Sequence, residues 1–321
     1  MRRVLVTGAT GFVGTSLMAR LAVEPGFEAV GVDLRAPAQP YTAPTVRFEQ
    51  ADLRDEAALE RIFSAFRPTA VVHLASIVNP PPGMSREDMR EIDVGGTERV
   101  VRLCLAHGVS HLTVTTSGAA YGYHADNPAW LDEDCAIRGN VEFAYSDHKR
   151  QIEELLVTAR AEHPELSQLL LRPGTILGKS VGNQITALFA KPRVLGVVGY
   201  DSPFVFIWDE DVVEILLRGL RDERTGCFNL AGDGAMSMRE IAAALGKPYM
   251  PLPAWVLRAA LMVLHPLGVV PYGPEQVGFL QYRPVLSNAR LKAGFGYTPR
   301  YSSAEAFAEL LRAQPNLRAG A

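Results

Sequence analysis

Tyr145 and Lys149 stand four residues apart in "YSDHK", on a stretch that reads as a helix over 141–160. That spacing sets a phenol and an ammonium on one helical face. A free phenol titrates near ~10 and is a poor base at neutral pH. A cation beside it favours the phenolate and lowers its pKa toward working pH. Such a pair suits removal of a hydroxyl proton while a hydride leaves the same carbon. Ser117, just past the apolar run "HLTVTT" (111–116), can hydrogen-bond the reacting oxygen. The chain holds ten tyrosines and five lysines, so the pair gains weight only from what accompanies it.

What accompanies it is "VTGATGFVG" (6–14), directly after the short β-rich run "RVLVT". Gly8, Thr10, Gly11, Phe12, Val13 and Gly14 would form a turn opening a helix. A pyrophosphate needs bare backbone N–H groups and a helix N-terminus there, and Cβ atoms would hold it away. The spacing Gly-x-x-Gly-x-x-Gly is one residue wider at its first gap than the usual dinucleotide fingerprint. Asp33 ends the next β-rich run; a carboxylate there can accept both adenosine ribose hydroxyls and would repel a 2′-phosphate. NAD is therefore favoured over NADP, with Arg35 two residues on as the feature that keeps NADP open. Asp52, followed by Leu53, is placed for the adenine amino group.

The elements that must position these groups follow from periodicity. Runs at 3–7, 27–32, 45–50, 70–75, 111–116 and 168–172 are mostly continuous in apolar residues, as expected for strands covered on both faces. Helical patterns at 56–66, 88–107 and 141–160 lie between them. The order implies an α/β fold, a doubly wound parallel sheet of Rossmann type. After Arg172 the rhythm breaks, then returns at 209–231. We expect a dinucleotide-binding domain of residues 1–173 and 206–232, with a smaller, mostly helical C-terminal substrate lobe of 174–205 and 233–321.

Composition excludes several classes. With 321 residues, 48% hydrophobic, and a net charge of −3 without a basic run, nucleic acid is not an expected partner. Cys104, Cys135 and Cys227 fit neither a disulfide framework nor a zinc pattern; they fit a reducing, cytoplasmic setting, and no metal is expected. The N-terminus is too short in apolar residues for a signal core. The greasiest stretch, 255–270, is broken by Arg258, His265 and Pro266 and is too short for a span. It reads as a buried or cleft-lining helix, with a surface that touches membrane or a greasy substrate as the second reading; stable insertion is not expected.

Taken jointly, "TGATGFVG", "DLRD" (52–55), "HLAS" (73–76), "DVGGT" (93–97), "TTSGAAYG" (115–122), "YSDHK" and "LRPGTILG" (171–178) resemble the extended short-chain dehydrogenase/reductases, the NAD-dependent epimerase/dehydratase family. The resemblance covers the first 180 residues. It implies that Ser117, Tyr145 and Lys149 are catalytic, with Lys149 also on the nicotinamide ribose. Leu74, Ala75 and Ser76 would line the cofactor, and Pro173, Gly174 and Thr175 would lie near the nicotinamide. Homodimerisation through 88–107 and 141–160 is likewise implied. Asp93 departs from the asparagine usual in the family.

Gly118 and Ala119 stand where dehydratases of the family carry an acid pair, which argues against dehydration. Thr175 replaces the family's asparagine, and the Gly-Asp that follows "R-P" in nucleotide-sugar members is absent after Arg283 and Pro284. Leu188, Phe189, Val197, Val198, Phe204, Phe206, Trp208, Trp255 and Leu264 make the lobe greasy. The expected activity is NAD(P)-dependent hydride transfer between nicotinamide and a secondary alcohol or ketone, on a largely apolar small molecule. A nucleotide-sugar 4-epimerase is the alternative, with Arg193 and Arg283 as possible phosphate holders. Ser117, Thr175, Arg193, Phe204 and Arg283 are the candidate substrate contacts. A non-catalytic NAD-sensing protein on the same fold is the third reading.

Overall fold

The structure is a computed structural model that describes residues 1–81, 83–182, 184–267, 270 and 273–319. In chain order its strands are β1 (Arg2–Thr7), β2 (Phe27–Asp33), β3 (Val46–Gln50), β4 (Ala70–His73), β5 (His111–Thr115), β6 (Ser167–Pro173), β7 (Thr175–Leu177), β8 (Val194–Val197), β9 (Phe206–Trp208), β10 (Gly226–Leu230) and β11 (Tyr249–Leu252). The helices are α1 (Phe12–Leu21), α2 (Glu56–Phe66), α3 (Arg86–Arg90), α4 (Gly96–Ala106), α5 (Ala144–Glu162), α6 (Gln184–Phe189), α7 (Asp209–Arg221), α8 (Met238–Leu245), α9 (Ala254–Leu264), α10 (Gln276–Gln281) and α11 (Ser303–Ala313).

Among the described residues, β3-β2-β1-β4-β5-β6-β10 form one parallel sheet. The apolar runs explain it. In β1, Val4 and Val6 enter a core shared with α1 and α7, while Leu5 enters the opposite core with α2, α4 and α5. Side chains alternate across the sheet, so an unbroken apolar run covers both faces. Strand order reverses between β1 and β4, and in such sheets ligands bind in that crevice at the carboxyl ends.

The six expected runs match strands to within two residues. The expected helix over 88–107 is corrected. It is α3, then a wide π-type turn over Glu91–Gly95, then α4. The turn points Asp93 inward, where its Oδ1 accepts the Ile77 N–H at 2.8 Å. Gly96 meanwhile packs on Leu53, which a Cβ would meet at 3.1 Å. Those tertiary contacts widen the helix, as π-turns at inward-facing positions do.

Beyond β6 the chain forms two small parallel pairs, β7 with β9 and β8 with β11. α8 and α11 begin with reciprocal capping boxes, Ser237 with Glu240 and Ser302 with Glu305. They pack on a ring cluster in which Phe206 stacks on Phe204 at 5.7 Å and on Phe307 at 5.5 Å. This corrects the reading of the greasy residues as a substrate lining. Phe189, Phe206 and Trp208 are buried in one core with α8 and α11, so the start of the expected 206–232 return packs with the lobe. For the 255–270 stretch the buried-helix reading is corrected, since α9 buries none of its side chains; residues 268 and 269 lie outside the described residues.

Candidate active site

The glycine turn leaves β1 at the reversal point and touches the segment leaving β4. Gly8 has φ +70°, and a Cβ there would lie 2.6 Å from the Ala75 nitrogen. A Cβ on Gly14 would lie 2.0 Å from the Gly8 carbonyl oxygen. Both positions require glycine. Phe12 faces the lobe beside Gly178, and Val13 packs on the sheet core. Leu53 is buried under α4, and Leu74 packs on the α1 side of the sheet.

Two hydroxyl oxygens here, Thr10 Oγ1 and Ser76 Oγ, are buried without a hydrogen-bond partner among the described residues. Orphaned donors beside bare backbone at a helix start fit a dinucleotide pyrophosphate. Asp33 at the end of β2 accepts the Thr10 N–H at 3.0 Å on Oδ2, so the carboxylate is held at the turn. Asp52 is engaged differently. Arg54 donates to both of its oxygens, at 3.0 Å and 2.6 Å, and the pair lowers the Asp52 pKa.

α5 carries Tyr145 and Lys149, and its start is pinned by Ser146. The Ser146 hydroxyl donates to the Ala119 carbonyl at 2.7 Å and accepts the Asn140 N–H at 3.0 Å. Ser117 lies on the turn so pinned, its Oγ accepting the Ala119 N–H at 3.1 Å. Lys149 Nζ sits 5.6 Å from the Tyr145 ring centroid. The structure thus brings Ser117, Tyr145 and Lys149 together.

Their titration differs from expectation. Burial raises the Tyr145 pKa; a hydrogen bond from Ser117 opposes this, and the Asp93 carboxylate adds to the rise. Burial lowers the Lys149 pKa, while Asp93 and Glu153 work to raise it. The expectation that the nearby ammonium lowers the phenol is therefore corrected for the protein by itself, because the cost of desolvating the phenolate wins.

Asp93 is 1% exposed and lies 3.6 Å from His148 Nδ1, measured from Oδ2. Neither His148 nitrogen has a hydrogen bond among the described residues. His73 bridges Thr7 at 2.7 Å and Thr97 at 3.1 Å, and burial takes its pKa down to about 4, so it is neutral. One carboxylate thus sits behind the Tyr–Lys pair, a consequence the Asn-to-Asp departure at 93 signalled without assigning.

The other side of Tyr145 is aromatic. Phe143 lies 6.2 Å from Tyr145 and stacks on Phe279 at 4.5 Å, while Tyr123 meets Phe279 at 4.9 Å. Sequence reasoning missed this wall. Phe143 and Tyr123 flank motifs it used, but Phe279 arrives from α10 with no local signal. The Arg283 guanidinium lies 3.7 Å over the Phe204 ring, and its Nε is buried without a partner. Arg193 is not brought there: it is exposed, with Nη1 on the Met250 sulfur at 3.8 Å. Pro173 and Thr175 flank the end of β6, where Gly174 N–H donates to Leu230 and Thr175 N–H to Val205. No grouping of His, Cys, Asp and Glu fit for a metal occurs among the described residues.

A parallel sheet with a glycine turn at its reversal point and a Ser–Tyr–Lys set beside it defines a dinucleotide-dependent oxidoreductase of the short-chain dehydrogenase/reductase type. The NAD dependent epimerase/dehydratase family model matches residues 4–231, and the chain belongs to that family. It is thus an NAD-dependent enzyme of that type. An uncharacterized protein of Mycobacterium tuberculosis is 25% identical over 316 residues, covering 96% of this chain and 83% of its own. The UDP-glucose 4-epimerase of Thermus thermophilus, crystallised with NAD, is 25% identical with a TM-score of 0.74, over 99% of this chain and 100% of its own. The dTDP-glucose 4,6-dehydratase of Bacillus anthracis, also with NAD, superposes at TM-score 0.76 over 98% and 97% of the chains; at 15% identity it shows the fold alone.

Proposed function

We propose that the protein catalyses hydride transfer between NAD and a secondary alcohol or ketone whose body is largely apolar. The observation that carries this is the wall of Tyr123, Phe143 and Phe279 adjoining Tyr145. In this reading Gly8 to Gly14 hold the pyrophosphate through backbone N–H groups, with Thr10 Oγ1 and Ser76 Oγ as added donors. Asp33 takes the adenosine ribose, and Asp52 and Leu53 border the adenine. Leu74 and Ala75 line the cofactor; Pro173 and Thr175 border the nicotinamide. Bound NAD supplies the hydride acceptor or donor.

The chain's own residues move the proton. Ser117 Oγ accepts from Ala119 and turns its own hydroxyl proton to Tyr145; with substrate bound, the reacting oxygen would take that hydrogen bond. Tyr145 takes the alcohol proton in oxidation and returns one in reduction. Because burial keeps its phenol protonated, Tyr145 is ready as an acid at neutral pH, and oxidation gains as pH rises. Lys149 stabilises the phenolate and holds the nicotinamide ribose.

A second reading, nucleotide-sugar 4-epimerisation, has its own observation: the Arg283 Nε, buried without a partner, as a waiting anion donor. The Thermus relative's name points the same way. Purified protein with NAD separates the two. Apolar cyclic secondary alcohols should generate NADH, read by reduced-nicotinamide absorbance, while UDP-glucose and UDP-galactose should not interconvert. Sugar interconversion without net NADH would replace the first reading by the second.

This reading also includes a cytoplasmic homodimer paired through 88–107 and 141–160. Val157, 57% exposed on α5, supports it.

A further inference from the structure

We propose that the exposed face of α9 is a docking surface for an anionic lipid bilayer. The helix sequence, AWVLRAALMVL, contains one charged residue, Arg258, and buries no side chain. Trp255 is 72% exposed, Met262 64%, Val263 60%, and Leu267 just beyond the helix 69%. Trp255, Ala259, Met262, Val263 and Pro266 recur at helical spacing and share one face. Leu195 and Val198, 41% and 53% exposed, stand on and just after β8. β8 pairs with β11, which leads straight into α9, and the Val198 N–H donates to the Leu252 carbonyl at 3.0 Å, so Val198 adjoins the start of the helix. An apolar surface of this kind marks an interaction site.

Charge chooses the occupant. Residues 181–200 and 241–274 contain Lys191, Arg193, Lys247, Arg258 and His265 and no Asp or Glu, in a chain of net charge −3. Among the described residues the partners these cations do have are neutral. Arg193 rests on the Met250 sulfur, Lys247 donates to the Phe189 carbonyl, and Arg258 donates to the Gln281 side chain. A second copy related by a twofold axis would bring these cations, none of them with an acidic partner among the described residues, against their own copies. An anionic bilayer both covers the apolar face and matches the excess of cations in these two stretches. Tryptophan suits the boundary depth. At 11 residues α9 is too short to span, so it would lie in the plane of the interface.

Arg258 also ties α9 to α10, which carries Phe279 of the aromatic wall. Docking would therefore turn the substrate side of the crevice toward the membrane; this consequence rests on the apolar-substrate reading, the docking itself does not.

The test is co-sedimentation of the full chain with vesicles of phosphatidylcholine alone or mixed with phosphatidylglycerol, with NAD titration as the check on folding. The protein should pellet with the mixed vesicles, much less with phosphatidylcholine, and less again in high salt. Trp255→Ser with Met262→Ser should cut the bound fraction at least ~10-fold with NAD affinity unchanged. Should that pair disturb folding, the surface reversal Lys191→Glu with Arg193→Glu must abolish vesicle binding by itself. No pelleting with mixed vesicles, or variants that pellet like the parent, would overturn the proposal. So would loss of self-association in place of vesicle binding, which would assign the face to a second copy. None of these readouts needs turnover, so they fail or succeed separately from the proposed activity.

Discussion

Asp93 adds a buried negative charge at the site, behind desolvation in its effect on Tyr145 and Lys149. A buried carboxylate facing His73 on β4, with Tyr145, His148 and Lys149 on α5, works to raise the pKa of both Tyr145 and Lys149. Glu153 adds to it at Lys149. Asp93→Asn keeps an oxygen for the Ile77 N–H and removes the charge. With one negative charge fewer, phenolate becomes easier to form and ammonium easier to lose, so both groups should deprotonate at lower pH. The pH profile of kcat/KM for alcohol oxidation should accordingly move its rising limb toward acid. An unmoved limb would mean that Asp93 does not act on the ionising group. That aspartate was legible in the sequence as an oddity. Its consequence was not, because Ile77 and His148 reach it only through the fold.

At the scale of elements, the buried pair of Arg172 on β6 and Glu153 on α5 fixes the helix that carries Tyr145 and Lys149. The guanidinium donates to Glu153 at 2.8 Å and 2.6 Å, Thr116 donates to the same carboxylate at 2.6 Å, and Arg172 also reaches the Tyr121 hydroxyl at 2.7 Å. Glu153→Gln leaves the arginine charge buried without its counter-ion. Urea unfolding should show a loss of about 3–5 kcal/mol; a loss below ~1 kcal/mol would mean that water or another acid replaces Glu153. Strands and α5 were readable because β-branched runs and helical spacing are local signals. The π-type turn before α4 was not, since it is made by Asp93 bonding Ile77 and Gly96 sitting on Leu53.

For the whole molecule, local patterns served the sheet well and the lobe poorly. Greasy composition beyond residue 180 suggests a lining for substrate. Phe189, Phe206 and Trp208 instead fill the lobe's own core, while Trp255 faces outward. Hydrophobicity records that a side chain seeks cover, not which surface covers it. The aromatic wall beside Tyr145 depends on Phe279, brought in by the lobe from more than a hundred residues away. The wall therefore has two origins: Tyr123 and Phe143 come from the sheet domain, and Phe279 comes from the lobe. The chemistry beside it rests on one phenol. Single-turnover reduction of bound NAD by an apolar secondary alcohol, compared between the parent and Tyr145→Phe, tests this directly. NAD binding should be unchanged and the rate lower by about 10²–10⁴-fold; a variant that reduces NAD as fast as the parent would remove Tyr145 from the reaction.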